Sequence, residues 1–205
     1  MSRYVYPIDG DGQSTLLRHL IGRALVDRRR RLGERHPAPL GGDVPDLDRR
    51  RRRAARMVEC TLSGSADGTI DCARFFGRLA SHIQMASDVV GTMLSSVEDV
   101  AMDAHRARRL ATVVADLFYY LEESVPMGQS VRMCIAIAHD DDGLVVGVGV
   151  EGAVNPVSCA SATVAMLRAR NIVRLLRGQF QRGVDGHRLV FGLTFPADFA
   201  ERIVR

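Results

Sequence analysis

The chain has no tryptophan and no lysine. All 28 of its basic side chains are therefore arginine, against 24 Asp and Glu, for a net charge of +4. The missing lysine points to a compositional bias toward arginine rather than to a function. Arginine runs at 28–31 and 49–53 could meet nucleic acid. With no tryptophan, no aromatic stacking pattern and no nucleic-acid module beside them, they read instead as solvated helix faces or a surface for an acidic protein partner. No apolar run approaches the roughly 20 residues a membrane helix needs, and the start MSRYVYPIDGDGQ lacks the basic-then-apolar pattern of a secretory signal. A cytoplasmic protein without membrane contact is expected. The cysteines are few, Cys60, Cys72, Cys134 and Cys159, and match neither a zinc site nor a CxxC redox motif. They read as small buried hydrophobes. No Ser-His-Asp, P-loop or dinucleotide motif is present. The histidines His36, His82, His105, His139 and His187 show no ligand spacing.

What is present is a chain of 205 residues, 46% of them apolar. That suits one compact mixed domain with a small extension, or two small domains. Leu16, Leu17, Leu20, Ile21, Ala24 and Leu25 recur at helical spacing, so 14–32 reads as a helix with Ser14 as its N-cap. Three prolines and three glycines make 33–46 a loop. A second helix follows at about 47–63, with Leu47, Ala54, Val58 and Leu62 on one face and Gly64 ending it. The two form an antiparallel hairpin with one apolar face. Pairing two hairpins in a homodimer would bury that face in a four-helix bundle. The predicted domains are 1–66, the helical hairpin, and 67–205.

The second domain reads as α+β. Helices are expected at about 71–85, 104–123 and 161–177, with two short extended pieces between 88 and 102. VRMCIAIA (131–138) and GLVVGVGV (143–150) alternate like strands joined by a turn at HDDDG, and RLVFGLTF (188–195) closes the chain as a last strand. One sheet with helices on one face is the expected architecture.

This order resembles the HWE-type sensor histidine kinases, in which a dimerising helical hairpin precedes an ATPase-like α/β sandwich. In that family the first helix carries HRVKNNL, whose histidine accepts phosphate. The similar stretch here is HLIGRAL, residues 19–25. His19 projects roughly 140° from the centre of the apolar stripe, at about 100° per residue, so it is expected to face solvent. Arg23, one turn on, falls on nearly the same face and could steady a phosphoryl group. The resemblance implies a partner surface at Arg18, Gly22 and Arg23. An ordinary surface histidine is the alternative.

The first ATP motif of that family, LxLVVNELVTNALKHA, resembles LATVVADLFYYLEESV at 110–125. Leu110, Val113, Val114 and Leu117 fit its framework. Its two asparagines become Ala115 and Tyr120, and Asp116 stands for its glutamate. A carboxamide oxygen suits Mg2+ far better than a phenol. Asp116 reads as a solvated helix carboxylate, or as a group able to polarise a substrate. The Asp-x-Gly-x-Gly turn is similar to VEGAVNP at 150–156, where Val150 replaces the adenine-binding Asp and Gly152 is kept. Ala162 and Ala165 stand where the last motif has glycines; Gly178 remains. The losses fall on nucleotide-contacting positions, so the resemblance implies a degenerate ATP site at Asp116, Tyr120, Val150 and Gly152, with no cofactor of its own.

Three functions follow. The first is a histidine phosphotransferase of a two-component phosphorelay, similar to the ChpT-type phosphotransferases, in which His19 shuttles phosphate between response-regulator receivers and the receiver supplies Mg2+. The second is a non-catalytic docking partner of a receiver or kinase. The third is a divergent active histidine kinase.

Overall fold

The computed structural model describes residues 68–126, 128–140, 142–152, 160–185 and 188–203. The hairpin expected at 14–63 lies outside the described residues, and so do Cys60 and Cys159. Among the described residues, no helix is long and apolar enough to cross a membrane.

After a short strand β1 (Thr69–Asp71), helix α1 spans Cys72–Ala86. Asp71 starts it by accepting a hydrogen bond from the Arg74 amide at 3.1 Å. Phe75, Phe76, Leu79, Ala80 and Ile83 recur every three or four residues and are all buried. Strands β2 (Val90–Val97) and β3 (Val100–Asp103) follow. Asp103 then caps α2 (Ala104–Glu122), accepting from the amides of His105 and Arg106 at 2.9 and 3.0 Å.

β4 (Val131–His139) and β5 (Gly143–Glu151) form the expected antiparallel hairpin. Asp140 closes its turn by accepting from the amides of Asp142 and Gly143. Gly143 sits at φ +138°, and a Cβ there would lie 2.1 Å from the Phe195 carbonyl oxygen, so only glycine fits. Helix α3 (Ala160–Leu175) leads into β6 (Gln179–Asp185) and β7 (Arg188–Pro196); a short 3-10 turn (Ala197–Phe199) precedes β8 (Glu201–Arg202).

The main sheet has the order β2-β4-β5-β7-β6. Its strands alternate with period 2. Val131, Met133, Ile135 and Ile137 of β4, Leu144, Val146, Val148 and Val150 of β5, and Leu189, Phe191, Leu193 and Phe195 of β7 are all buried. They form one core with the apolar faces of the helices.

Three features differ from the sequence reading. A second sheet exists, β1-β3-β8. β2 and β4 run parallel, so α2 is a crossover connection rather than a helix set apart from the strands. Finally, β6 stands as an edge strand where only β7 was expected. An edge strand needs just one partner and tolerates polar residues, and QFQRGVD has no apolar alternation to betray it.

Candidate functional site

The residues singled out for the ATP-like site are described, and they lie in or beside the core. Asp116 does not sit on a solvated face: only 2% of it is exposed. A buried carboxylate must be paired, and its partner comes from α3. Arg168 Nε donates to Asp116 Oδ2 at 2.7 Å, and Arg168 NH2 donates to Oδ1. Two parallel bonds from one guanidinium to one carboxylate are a strong and directional arrangement. The Arg168 side chain remains 32% exposed, so the pair runs from the core to the surface. Its hydrogen bonds to Asp116 push the Arg168 pKa upward, against the opposing pull of burial.

One helical turn on, Tyr120 is 4% exposed. Its ring meets Phe191 of β7 edge-on, with centroids 5.6 Å apart. Arg182 of β6 lies over the phenol ring, 5.7 Å from its centroid. Phe180, also on β6, packs against Phe191. The two α2 positions that the resemblance associates with Mg-ATP are thus each approached by an arginine from a later element.

Val150 is buried in β5, paired with Met133 and Leu189. It offers no side-chain acceptor. Gly152 follows at φ +146°, and a Cβ there would come within 3.0 Å of Val131. The retained glycine therefore answers a backbone need. Ala162 and Ala165 are buried on α3, together with Ala169 and Val173. Small side chains at these positions let α3 lie close on α2, the helix with which it packs most extensively.

These groups do not fit a nucleotide-bound divalent metal. The one carboxylate is engaged by Arg168, and the neighbouring phenol is a poor ligand for a hard cation. Among the described residues, no group of three or more His, Cys, Asp or Glu could hold a metal ion.

His19, Arg23, Arg18 and Gly22 lie outside the described residues. The sequence reading gave Arg168 and Arg182 no role. A signal for Arg168 was present: Asp116 is the one polar residue in VVADLFYYL apart from its two tyrosines. A lone carboxylate in such a run calls for a cation elsewhere in the chain.

No family model and no curated protein matches the chain. Solved structures do. The histidine kinase domain of the Erythrobacter litoralis EL346 blue-light activated histidine kinase superposes with a TM-score of 0.58 at 19% identity, over 75% of this chain and 80% of that one. The longer EL346 kinase gives 0.59 at 15% identity, over 96% of this chain and 63% of the kinase. A mycobacterial sensor histidine kinase, MprB, gives 0.53 at 10% identity, over 67% of this chain and all of that one. The chain therefore has a histidine-kinase-like fold, with a mixed sheet and helices as in the ATPase-like domains.

Proposed function

We propose that the protein is a histidine phosphotransferase-like component of a two-component phosphorelay, working without ATP. The observation that carries this reading is the Asp116–Arg168 pair beside buried Tyr120. Asp116 and Tyr120, at positions that the resemblance associates with Mg-ATP, are each engaged by an arginine of the protein itself. A histidine-kinase-like domain in that condition is suited to support a relay rather than to charge it.

In this reading His19 is the acceptor and Arg23 steadies the phosphoryl group. A lone pair of the imidazole attacks phosphorus of a receiver aspartyl phosphate. A P–N bond forms as the acyl P–O bond breaks, the aspartate leaves as a carboxylate, and the phosphoimidazolium gives its one remaining N–H proton to solvent. Return to a second receiver reverses these steps. The receiver supplies Mg2+. Homodimerisation through the hairpin, with Arg18, Gly22 and Arg23 as partner contacts, belongs to the same proposal.

The partner side has support in the described domain. From 160 to 184 the chain carries no Asp or Glu. Arg170, Arg174 and Arg177 are exposed there beside Val164, Leu167 and Leu175. A basic surface with apolar residues in it suits an acidic receiver.

Docking without phosphotransfer is the second reading. It is favoured by Leu20 and Ile21 directly after His19, since neither can assist proton transfer. Two experiments separate the possibilities. Mg-ATP titration by calorimetry is expected to give no heat of binding; clear micromolar binding would return the protein to the active kinases. Transfer from a phosphorylated receiver is expected for wild type and lost in His19→Ala; no transfer by wild type leaves the docking reading.

A further inference from the structure

Large apolar side chains on a helix normally face the core. Among the described residues five are exposed, and three of these, Val164, Leu167 and Leu175, belong to α3. At about 100° per residue they fall, with Asn171, within roughly 80° of arc. That stripe lies opposite the buried Ala162, Ala165, Ala169 and Val173. Exposed Arg170 and Arg174, one turn apart, form the adjoining stripe, and α3 has no Asp or Glu to neutralise them. An apolar stripe edged by one sign of charge marks an interaction surface better than scattered exposed leucines do.

The stripe runs into a cavity. α3 closes with the Gly178 amide donating to the Val173 carbonyl at 2.8 Å and the Arg177 amide donating to the Arg174 carbonyl at 3.0 Å. This turn holds Arg177 at φ +60°, where glycine is the usual residue. Arginine strains the backbone there, and brings a guanidinium that glycine lacks. Beside it is a cavity of about 290 Å³. Leu175, Leu176, Pro196 and Phe199 give it apolar walls, and Arg106 and Arg177 line it with positive charge. Asp198 is its one acidic residue. Arg106 is fixed: it donates to the carbonyls of Asp198 and Phe199, pairs with Asp103, and lies 5.4 Å from the Phe199 ring centre. That wall is formed before any ligand arrives. The volume falls at the foot of the roughly 300–1,000 Å³ range of ligand sites, which suits one large side chain. Leu175 and Arg177 belong to both the helix face and the cavity, so the two are continuous.

We propose that the exposed face of α3 and this cavity form one docking surface for an acidic segment of a partner protein. The segment seats an apolar side chain in the cavity and lays its carboxylates along Arg170, Arg174 and Arg177. The partner's identity as a response-regulator receiver rests on the relay reading; the surface names where that receiver is held, apart from His19.

Charge selects this occupant over the others. Residues 14–63 carry 13 Arg against six Asp and Glu, so neither this chain's own hairpin nor that of a second copy complements the arginines. A nucleic acid or a polyphosphate would meet the arginines but leave Val164, Leu167 and Leu175 in water.

The experiment uses the full chain and a fluorescein-labelled copolymer of Glu and Tyr, read by anisotropy. Poly-Glu and inorganic polyphosphate are the competitors. Both are expected to compete about tenfold less well than unlabelled copolymer. Arg170→Glu with Arg174→Glu should weaken copolymer binding about tenfold. Leu175→Gln should weaken it without changing competition by poly-Glu. Arg177→Gly should weaken binding while raising the urea midpoint, a split that a merely structural residue would not give. Arg50→Glu with Arg51→Glu should bind as wild type does. Equal competition by poly-Glu or polyphosphate would mean a surface that senses charge alone, and would overturn the proposal. No binding by wild type, wild-type binding in Leu175→Gln or Arg177→Gly, or an equal loss in the Arg50 and Arg51 variant would do the same. Copolymer binding without phosphotransfer from a receiver overturns the relay reading alone. Phosphotransfer at the wild-type rate in both the Arg170 and Arg174 variant and Leu175→Gln overturns this proposal alone.

Discussion

α1 and α3 both pack against α2, yet different forces hold them. α1 drives Phe75, Phe76, Leu79 and Ile83 into the core, with Phe75 and Phe76 edge-to-face at 5.0 Å. Its buried side chains are apolar apart from Cys72, whose thiol donates to the Ile70 carbonyl. α3 buries alanines and Val173, packs Met166 and Ile172 partly buried against the core, sends one arginine to a buried carboxylate, and leaves Leu167 and Leu175 in solvent. The first helix is fixed by side-chain volume, which is non-directional and insensitive to charge. The second adds a directional ion pair to a thinner apolar contact. Damage to α1 should therefore act through cavities, and damage to α3 through stranded charge.

The sharpest way to break this contrast is Phe76→Ala. The ring is fully buried, so its loss should cost about 3–5 kcal/mol from transfer and cavity together. Urea unfolding measures it, and a loss below about 1 kcal/mol would mean that α1 is not held by volume. Arg168→Met comes next, at roughly 2–4 kcal/mol, below a fully buried pair because the guanidinium is partly exposed. Unlike Phe76→Ala, it should be rescued by adding Asp116→Asn. If both variants resist rescue, the two helices do not differ in kind. Asp103→Ala should cost about 1 kcal/mol, since it removes an N-cap that accepts two amide hydrogen bonds at the start of α2. The helix between the two should thus tolerate a lost cap better than either neighbour tolerates its own lesion.

The smallest effect concerns pH. Burial pushes the Cys72 thiol at the start of α1 up to about 12, helped by nearby Asp71; burial, with Glu151, pushes Cys134 up to about 11. A thiol raised above its ordinary 9.0 gives stability that is whole below pH 9 and drains away as pH climbs toward 11 and 12. Urea midpoints should therefore be flat in this contribution up to pH 9 and decline beyond it. Cys72→Ala should lessen the decline. Cys72 and Cys134 should also react slowly with a disulfide reagent at pH 8. Rapid modification of Cys72 would show that the α1 core opens readily.

The contrast also explains what the sequence disclosed. α1 and α2 were legible to within a residue because large apolar residues at helical spacing leave no other way to bury them. The β4–β5 hairpin was legible for the same reason at period 2. The parallel pairing of β2 with β4 was not, since nothing local distinguishes a strand's partner across a crossover. β6, β1 and β8 are edge or very short strands, whose weak demands leave weak patterns. Asp116 read as a surface carboxylate because that is where an isolated charge on a helix usually lies. Its burial shows only once α3 covers it. Of the relay residues, His19 and Arg23 stand on periodicity and resemblance and lie outside the described residues.

The sequence by itself determined the helices and the core strands β4, β5 and β7, because steric preference and the period of apolar side chains act over a few residues. It also placed Asp, Tyr and Val where the resemblance has groups that contact nucleotide. Only the tertiary structure decided what those replacements do. Arg168 meets Asp116 from 52 residues away, and Arg182 reaches Tyr120 from a strand that the sequence hid. No local interaction encodes such contacts. They exist because packing lays α3 along α2, and a carboxylate buried by that packing must be met by a cation.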